Sequence, residues 1–131
     1  MSMTEASIPS PTGAGEAEAI IKTCINCGCC NSGCPTFDLL GDELDSPRGR
    51  INLIKEMMKE DGAPDAETVL HIDRCLSCNS CLTSCPSDVD YMHLVDFARS
   101  HIEKTYRRPI LDRMLRAMLA AILPRWHRRT I

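Results

Sequence analysis

Residues 24–35 read "CINCGCCNSGCP", and residues 75–86 read "CLSCNSCLTSCP". Both follow one frame, C-x2-C-x2-C-x3-C-P. Cys24, Cys27, Cys30 and Cys34 precede Pro35, and Cys75, Cys78, Cys81 and Cys85 precede Pro86, every member displaced by 51 positions. Four cysteines and a proline recurring at identical spacing mark a duplicated unit. Cys29, the ninth cysteine, belongs to neither frame.

Such crowding serves disulfides, zinc or an iron–sulfur cluster. The N-terminal segment "MSMTEASIPSPTGAGEAEA" has no basic start followed by an apolar run, so it does not read as a secretory signal. An odd number of cysteines in a chain without export argues against a disulfide framework and for metal. Zinc is usually held by two separated C-x2-C knuckles. Three cysteines at successive two-residue gaps, closed by Cys-Pro, suit the corners of a [4Fe–4S] cube better. In two-cluster ferredoxins the fourth cysteine of each run ligates the other cluster. The expected ligand sets are therefore Cys24, Cys27, Cys30 and Cys85 for one [4Fe–4S] centre, and Cys75, Cys78, Cys81 and Cys34 for the second. Pro35 and Pro86 hold Cys34 and Cys85 extended, turning the chain away from its own cluster. Cys29 is expected to be a small space-filler or bystander.

The rest of the chain reads as helices. Only five of 131 residues are aromatic, and Leu, Ile, Ala and seven Met supply the apolar mass. "EAEAIIKT" leads into Cys24. Ser46 and Pro47 provide a cap and a first position for a helix through "RGRINLIKEMMKE", with Ile51, Ile54 and Met58 on its stripe and Leu53 and Met57 one step off. "DAETVLHIDR" leads into Cys75, and "DYMHLVDFARSHIEKTY" places Leu94, Val95, Ala98 and Ile102 on one side. Pro109 opens "PILDRMLRAMLAAIL", whose apolar residues recur at helical spacing. No stretch alternates long enough for a strand. The expected class is all-α with two cysteine-rich cluster-binding loops. It divides into a disordered N-terminus at 1–15, a two-cluster ferredoxin-type domain at 16–106, and a basic amphipathic helix or linker at 107–131.

Charge is uneven. Residues 104–131 carry a net +7 and the remainder −10, which points to two different contact surfaces. The basic tail suits a protein partner or an anionic membrane surface. No recognition motif accompanies the charge, so nucleic acid is not an expected partner. Arg48 and Arg50 sit at a helix start, against the helix dipole. Such a pair either satisfies itself within the chain, bonds a cluster sulfide or grips an acidic partner. His71, His93, His101 and His127 show no ligand spacing, and the methionines read as core. There is no nucleophile with a base, no carboxylate pair and no Gly-rich phosphate loop, so no catalytic residue is expected on this chain.

"CPTFDLLGDELDSPRGRINLIKEM" followed by "HIDRCLSCNSCLTSCPSDVDY" resembles the iron–sulfur subunits of glycolate oxidases (glycolate dehydrogenases), over about residues 20–125. The cysteine runs alone fit wider relatives, among them the iron–sulfur subunits of anaerobic glycerol-3-phosphate dehydrogenase, lactate-utilisation proteins, heterodisulfide reductase and succinate dehydrogenase. "LLGDELDSPRGRI" and "RPILDRML" with "ILPR" carry the finer likeness. The resemblance implies an α-helical ferredoxin fold and an electron conduit. Partner flavoprotein subunits would oxidise a 2-hydroxy acid such as glycolate or D-lactate at FAD, and two [4Fe–4S] clusters would pass the electrons to a quinone-type acceptor. It implies a cytoplasmic protein, or one peripheral on the inner face of the cell membrane. Members of the family continue into two cysteine-rich CCG modules that do not occur in these 131 residues. The competing readings are a free-standing ferredoxin serving several reductases and a structural metal module.

Overall fold

The computed structural model describes residues 13–60 and 63–127, with side chains through residue 123. Six α-helices follow in order: α1 (Ala14–Thr23), α2 (Pro35–Leu40), α3 (Pro47–Lys59), α4 (Ala66–Asp73), α5 (Tyr91–Thr105) and α6 (Ile110–His127). There is no strand among the described residues, as the sequence predicts. Most of the N-terminal segment expected to be disordered, residues 1–12, lies outside the described residues, and α1 begins at Ala14.

The helix starts are chemically explicit. The Ser46 side chain accepts from Gly49 N–H at 2.9 Å, and Pro47 takes the first position of α3. The Asp65 side chain accepts from Thr68 N–H at the head of α4, and Asp90 from His93 N–H at α5. Each satisfies a backbone donor that a helix start leaves open, a contribution of about 1 kcal/mol.

The core is where α1, α3, α4 and α5 meet. Ala17 of α1, Ile54 of α3, Ile72 of α4 and Leu94, Val95, Ala98 and Ile102 of α5 are wholly buried. Packing each large aliphatic side chain here stabilises by about 1.5–3 kcal/mol. The two fully buried alanines lie on α1 and α5, which pack together; small side chains permit that approach. On α3 the stripe is Ile51, Ile54 and Met57, rotated one step from the expected Met58, which is only partly buried.

Four short elements among the described residues escape sequence patterning: α2 and the 3₁₀ turns at Cys29–Gly33, Glu43–Asp45 and Leu82–Ser84. Turns of three to six residues carry too few positions for a period to be read.

Helix α6 overturns a simpler expectation. Its methionines do not join the core: Met114 and Met118 are exposed, as are Leu111 (80%), Leu115 and Ile122. Its polar edge is the one held to the body. Arg108, just before the helix, donates to Asp73 through Nη1 (2.6 Å) and Nη2 (3.2 Å), and Arg116 reaches the same carboxylate at 2.9 Å. The residues between Tyr106 and Pro109 are not helical, and α6 starts at Ile110, directly after the Pro109 that the sequence marks as its opening. Asp73 closes α4, where a carboxylate opposes the helix dipole, so these two guanidiniums offset an unfavourable placement. Its hydrogen bonds, helped by Glu103, raise the pKa of Arg108 above its usual value despite burial. Asp73→Ala is expected to cost about 1–3 kcal/mol, because the nearly buried Arg108 loses its paired acceptor. Hydrogen exchange should then accelerate across Ile110–Leu123 while α5 stays protected. Unchanged exchange in α6 would show that the Asp73 contacts do not hold it.

Candidate metal centres

The two cysteine loops repeat in hydrogen bonding as well as in sequence. Cys24 N–H donates to Ile21 O and Cys75 N–H to Ile72 O; Asn31 N–H donates to Gly28 O and Leu82 N–H to Asn79 O; Cys34 N–H donates to Asn31 O and Cys85 N–H to Leu82 O. Ser32 and Thr83 hydroxyls each donate, at 2.9 Å, to the carbonyl three residues earlier. All four pairs keep the 51-residue offset. The loops pack on one another, and Gly33 marks the contact: a Cβ there would lie 3.0 Å from Ser80 O.

Left-handed backbone flanks the middle cysteine in both loops. Asn26 (φ 58°) and Gly28 (φ 81°) bracket Cys27, and Ser77 (φ 54°) and Asn79 (φ 62°) bracket Cys78. A serine in this region is strained by about 1 kcal/mol or more, and such strain persists where the surroundings require it. Alternating the sign of φ turns successive N–H groups to one side, forming an anion-receiving concavity. Its effect is visible at sulfur. Asn26 N–H lies 3.4 Å from Cys24 Sγ. The Cys29 N–H lowers the pKa of Cys27, and the Ser80 N–H does the same for Cys78.

Two cavities receive the thiols. The first is lined by Cys24, Cys27, Cys30 and Cys85, with Pro86. The second is lined by Cys34, Cys75, Cys78 and Cys81, with Pro35. The fourth cysteine of each run therefore lines the cavity of the other run. Cys81 and Pro47 border both cavities. Thiol crowding is unfavourable on its own terms. Burial pushes Cys81 up to about 11, with Cys30, Cys75 and Cys34 adding to the rise, and burial with Cys24 and Cys85 raises Cys30. Converging soft thiolates call for a cationic core. The donor set, the N–H concavities and the paired hollows thus fit iron–sulfur clusters.

Cys29 is exposed, so it fills no space in the core. Its backbone N–H, and after it its thiol, serve Cys27, as the backbone and hydroxyl of Ser80 serve Cys78 in the second loop. That equivalence accounts for a cysteine without a counterpart. Its own thiol pKa is raised by the neighbouring Cys27 sulfur.

A group that the cysteine frame does not reveal lies beside Cys34. Asp45, wholly buried, accepts from Arg74 (2.8 Å) and lies 2.9 Å from His71 Nδ1 and 3.5 Å from Arg50 Nη2. Burial alone would raise the Asp45 carboxyl, but the bonds from His71 and Arg74 outweigh it and hold its pKa below the usual value. Asp42 and His71 also approach Asp45, yet the two guanidiniums already engage that carboxylate, so the cluster is no cation site. His71 and His93 are side-chain partners of Asp45 and Asp90.

An all-helical body presenting eight thiols to two adjoining cavities defines an iron–sulfur domain of electron-transfer type. The chain belongs to the family of 4Fe-4S dicluster domains, which matches residues 23–90. It is 47% identical over 110 residues to the glycolate oxidase iron-sulfur subunit of Escherichia coli (strain K12), covering 84% of this chain and 27% of that protein. It is 35% identical over 100 residues to the probable glycolate oxidase iron-sulfur subunit of Bacillus subtilis (strain 168), covering 76% of this chain and 22% of that one. The chain thus spans about a quarter of the length of these curated relatives. No solved structure matches it significantly.

Proposed function

We propose that the chain is the electron-transfer portion of a flavin-dependent 2-hydroxy-acid dehydrogenase, with glycolate as the leading substrate. Electrons would come from FAD on partner dehydrogenase subunits and leave to a quinone-type acceptor. The observation that carries the reading is the crossed lining of the two cavities, taken with similarity to two glycolate oxidase iron–sulfur subunits. Cys24, Cys27, Cys30 and Cys85 would hold one [4Fe–4S] cluster, and Cys34, Cys75, Cys78 and Cys81 the other. Bound there, the clusters would supply one-electron redox chemistry.

The chain's own residues bind, orient and insulate. The N–H groups around Cys27 and Cys78 would stabilise thiolate charge. Burial of Cys81 between the cavities would keep water from the space separating the centres. Residues 16–106 would form the two-cluster unit, with 107–131 as a basic helical segment. The exposed apolar face of α6 supports a subunit over a free ferredoxin, since a contiguous apolar face on a soluble domain marks a contact surface. No helix among the described residues is long and apolar enough to cross a membrane. We place the protein in the cytoplasm, with peripheral contact at the membrane's inner face where quinone is reached.

Anaerobically purified protein should contain about eight iron and about eight sulfide atoms. Co-expressed with FAD-binding partner subunits, it should be retained with them, and added glycolate should bleach its visible absorbance. Clusters that dithionite reduces but glycolate leaves oxidised in that complex would remove the substrate assignment. Colourless protein containing zinc would remove the whole reading.

A further inference from the structure

We propose that the two centres are electrostatically unequal, with Arg50 making the centre bounded by Cys34, Cys75, Cys78 and Cys81 the more easily reduced. This rests on the ligand reading given above and adds a polarity to it.

The opening turn of α3 passes between the cavities and sends one arginine toward each. Pro47 borders both, Arg48 lines the first and Arg50 lines the second. Their surroundings differ sharply. Arg48 is a third exposed and is neutralised by Glu43, with Nη2 at 2.6 Å and Nε at 2.7 Å from the same carboxylate oxygen. Solvent screens what remains. Arg50 is 1% exposed. Its Nε donates to His71 O at 2.7 Å and its Nη2 to Thr36 Oγ1 at 3.0 Å, leaving Nη1 3.9 Å from Cys34 Sγ. The nearby anion, Asp45, is shared with Arg74. The part-exposed Arg74 holds Asp45 at 2.8 Å and Arg50 stands off at 3.5 Å, so the Arg50 charge is only partly offset and sits away from water, where its field is strongest.

A neutral donor adds to the asymmetry. The buried Tyr91 hydroxyl donates to Cys75 Sγ at 3.8 Å, while the Thr36 hydroxyl, 3.2 Å from Cys34 Sγ, donates to Asp45 O at 3.0 Å. Backbone donors to Cys27 and Cys78 are matched in the two loops, so they cancel in the comparison. Reduction adds negative charge to a thiolate-bound centre. A fixed cation and a side-chain donor at one centre favour reduction there, the means by which hydrogen bonds and burial tune such sites. Arg50 acts through Cys34 as a positioning residue and gives the pair a direction, from the first cavity toward the second.

The test is a dithionite titration of the anaerobic holoprotein followed by electron paramagnetic resonance. Cys34→Ser should alter the spectrum of the centre with the higher midpoint, identifying it. Arg50→Gln should make reduction of that centre about tenfold less favourable, which is 59 mV for a one-electron couple, and leave the other midpoint in place. Arg50→Lys, keeping the charge, should recover part of the loss. Tyr91→Phe should shift the same midpoint in the same direction by about threefold. It touches none of the bonds of the buried ion cluster, so it decides the matter if Arg50→Gln does not fold. An unmoved midpoint in folded Arg50→Gln, or in Tyr91→Phe where Arg50→Gln does not fold, would overturn the proposal, as would a shift confined to the other centre. So would Cys34→Ser marking the lower-midpoint centre. If Cys34→Ser instead perturbed the same spectrum as Cys24→Ser, the ligand reading itself would fall, taking this proposal with it.

Discussion

Gly49→Ala is expected to destabilise the protein by about 3 kcal/mol, opposite in sign to what helix propensity dictates. Inside an ordinary helix the exchange removes backbone entropy from the unfolded chain and gains about 0.5–1 kcal/mol. Gly49 lies in the first turn of α3 at an ordinary helical position. A Cβ built there would stand 2.0 Å from Glu43 O, and 2.9 Å from both Glu43 C and Leu44 Cα. All three are backbone atoms of the 3₁₀ turn at Glu43–Asp45, so no side chain can swing aside. The turn or the helix must move by about 1 Å, and overpacking of that kind costs about 1–3 kcal/mol or more. The disturbance would not stay local. Ser46 Oγ donates to Glu43 O at 2.6 Å, and Cys34 Sγ lies 3.7 Å from Asp45 O. Displacing the turn therefore loosens the α3 cap and the wall behind Cys34 together. Thermal unfolding should fall by about 10–20 °C for a domain of this size. The centre bounded by Cys34 should be lost before the other as temperature rises. A melting point equal to or above that of the parent would show that the turn yields freely.

The same region shows what a sequence conceals. The cysteine frame announces the metal chemistry because ligand spacing is local and survives without tertiary information. Ser46 and Pro47 announce α3 for the same reason, and both stand where their chemistry predicts. The buried ion cluster is different. Asp45, Arg50, His71 and Arg74 come from three segments, and each alone reads as a surface residue of a polar helix end. Only the crossing of Glu43–Asp45 over α3 makes them one group. Arg48 and Arg50 read in sequence as one pair, but residues two apart on a helix do not share a face, and the structure sends them to different cavities. The outward apolar face of α6 had no such signal. Helical spacing states that a face exists, and the Arg108, Arg116 and Asp73 contacts decide which face turns inward. Left-handed backbone was readable at Asn26, Gly28 and Asn79, residue types that tolerate it, and unreadable at Ser77.

Cys85→Ser is expected to damage the centre built by Cys24, Cys27 and Cys30, although Cys85 lies more than fifty residues from them and directly follows the other three. The 3₁₀ turn at Leu82–Ser84 carries Cys85, in extended backbone, across the loop contact into the first cavity, and Pro86 follows it in a turn. Cys34 makes the reciprocal crossing into the second. Replacing a thiolate by a hydroxyl removes a soft, charged ligand and leaves one corner of the cube without its donor. The resonance of one centre should be lost or transformed and the other retained, with iron content falling below about eight. Double variants sharpen the point, because substitutions within one unit are not additive. Cys24→Ser with Cys85→Ser should do little more damage than either alone. Cys24→Ser with Cys34→Ser should abolish both centres. The opposite pattern, with Cys85 coupled to Cys75 and Cys34 to Cys24, would mean that each run encloses its own cluster. Crossing also predicts a folding consequence. Neither half can complete its cofactor alone, so a chain cut between α3 and α4 should assemble clusters only when both pieces are present. Each piece failing singly and recovering on mixing is the outcome that crossed ligation requires, and a single piece that assembled a stable four-iron centre would refute it.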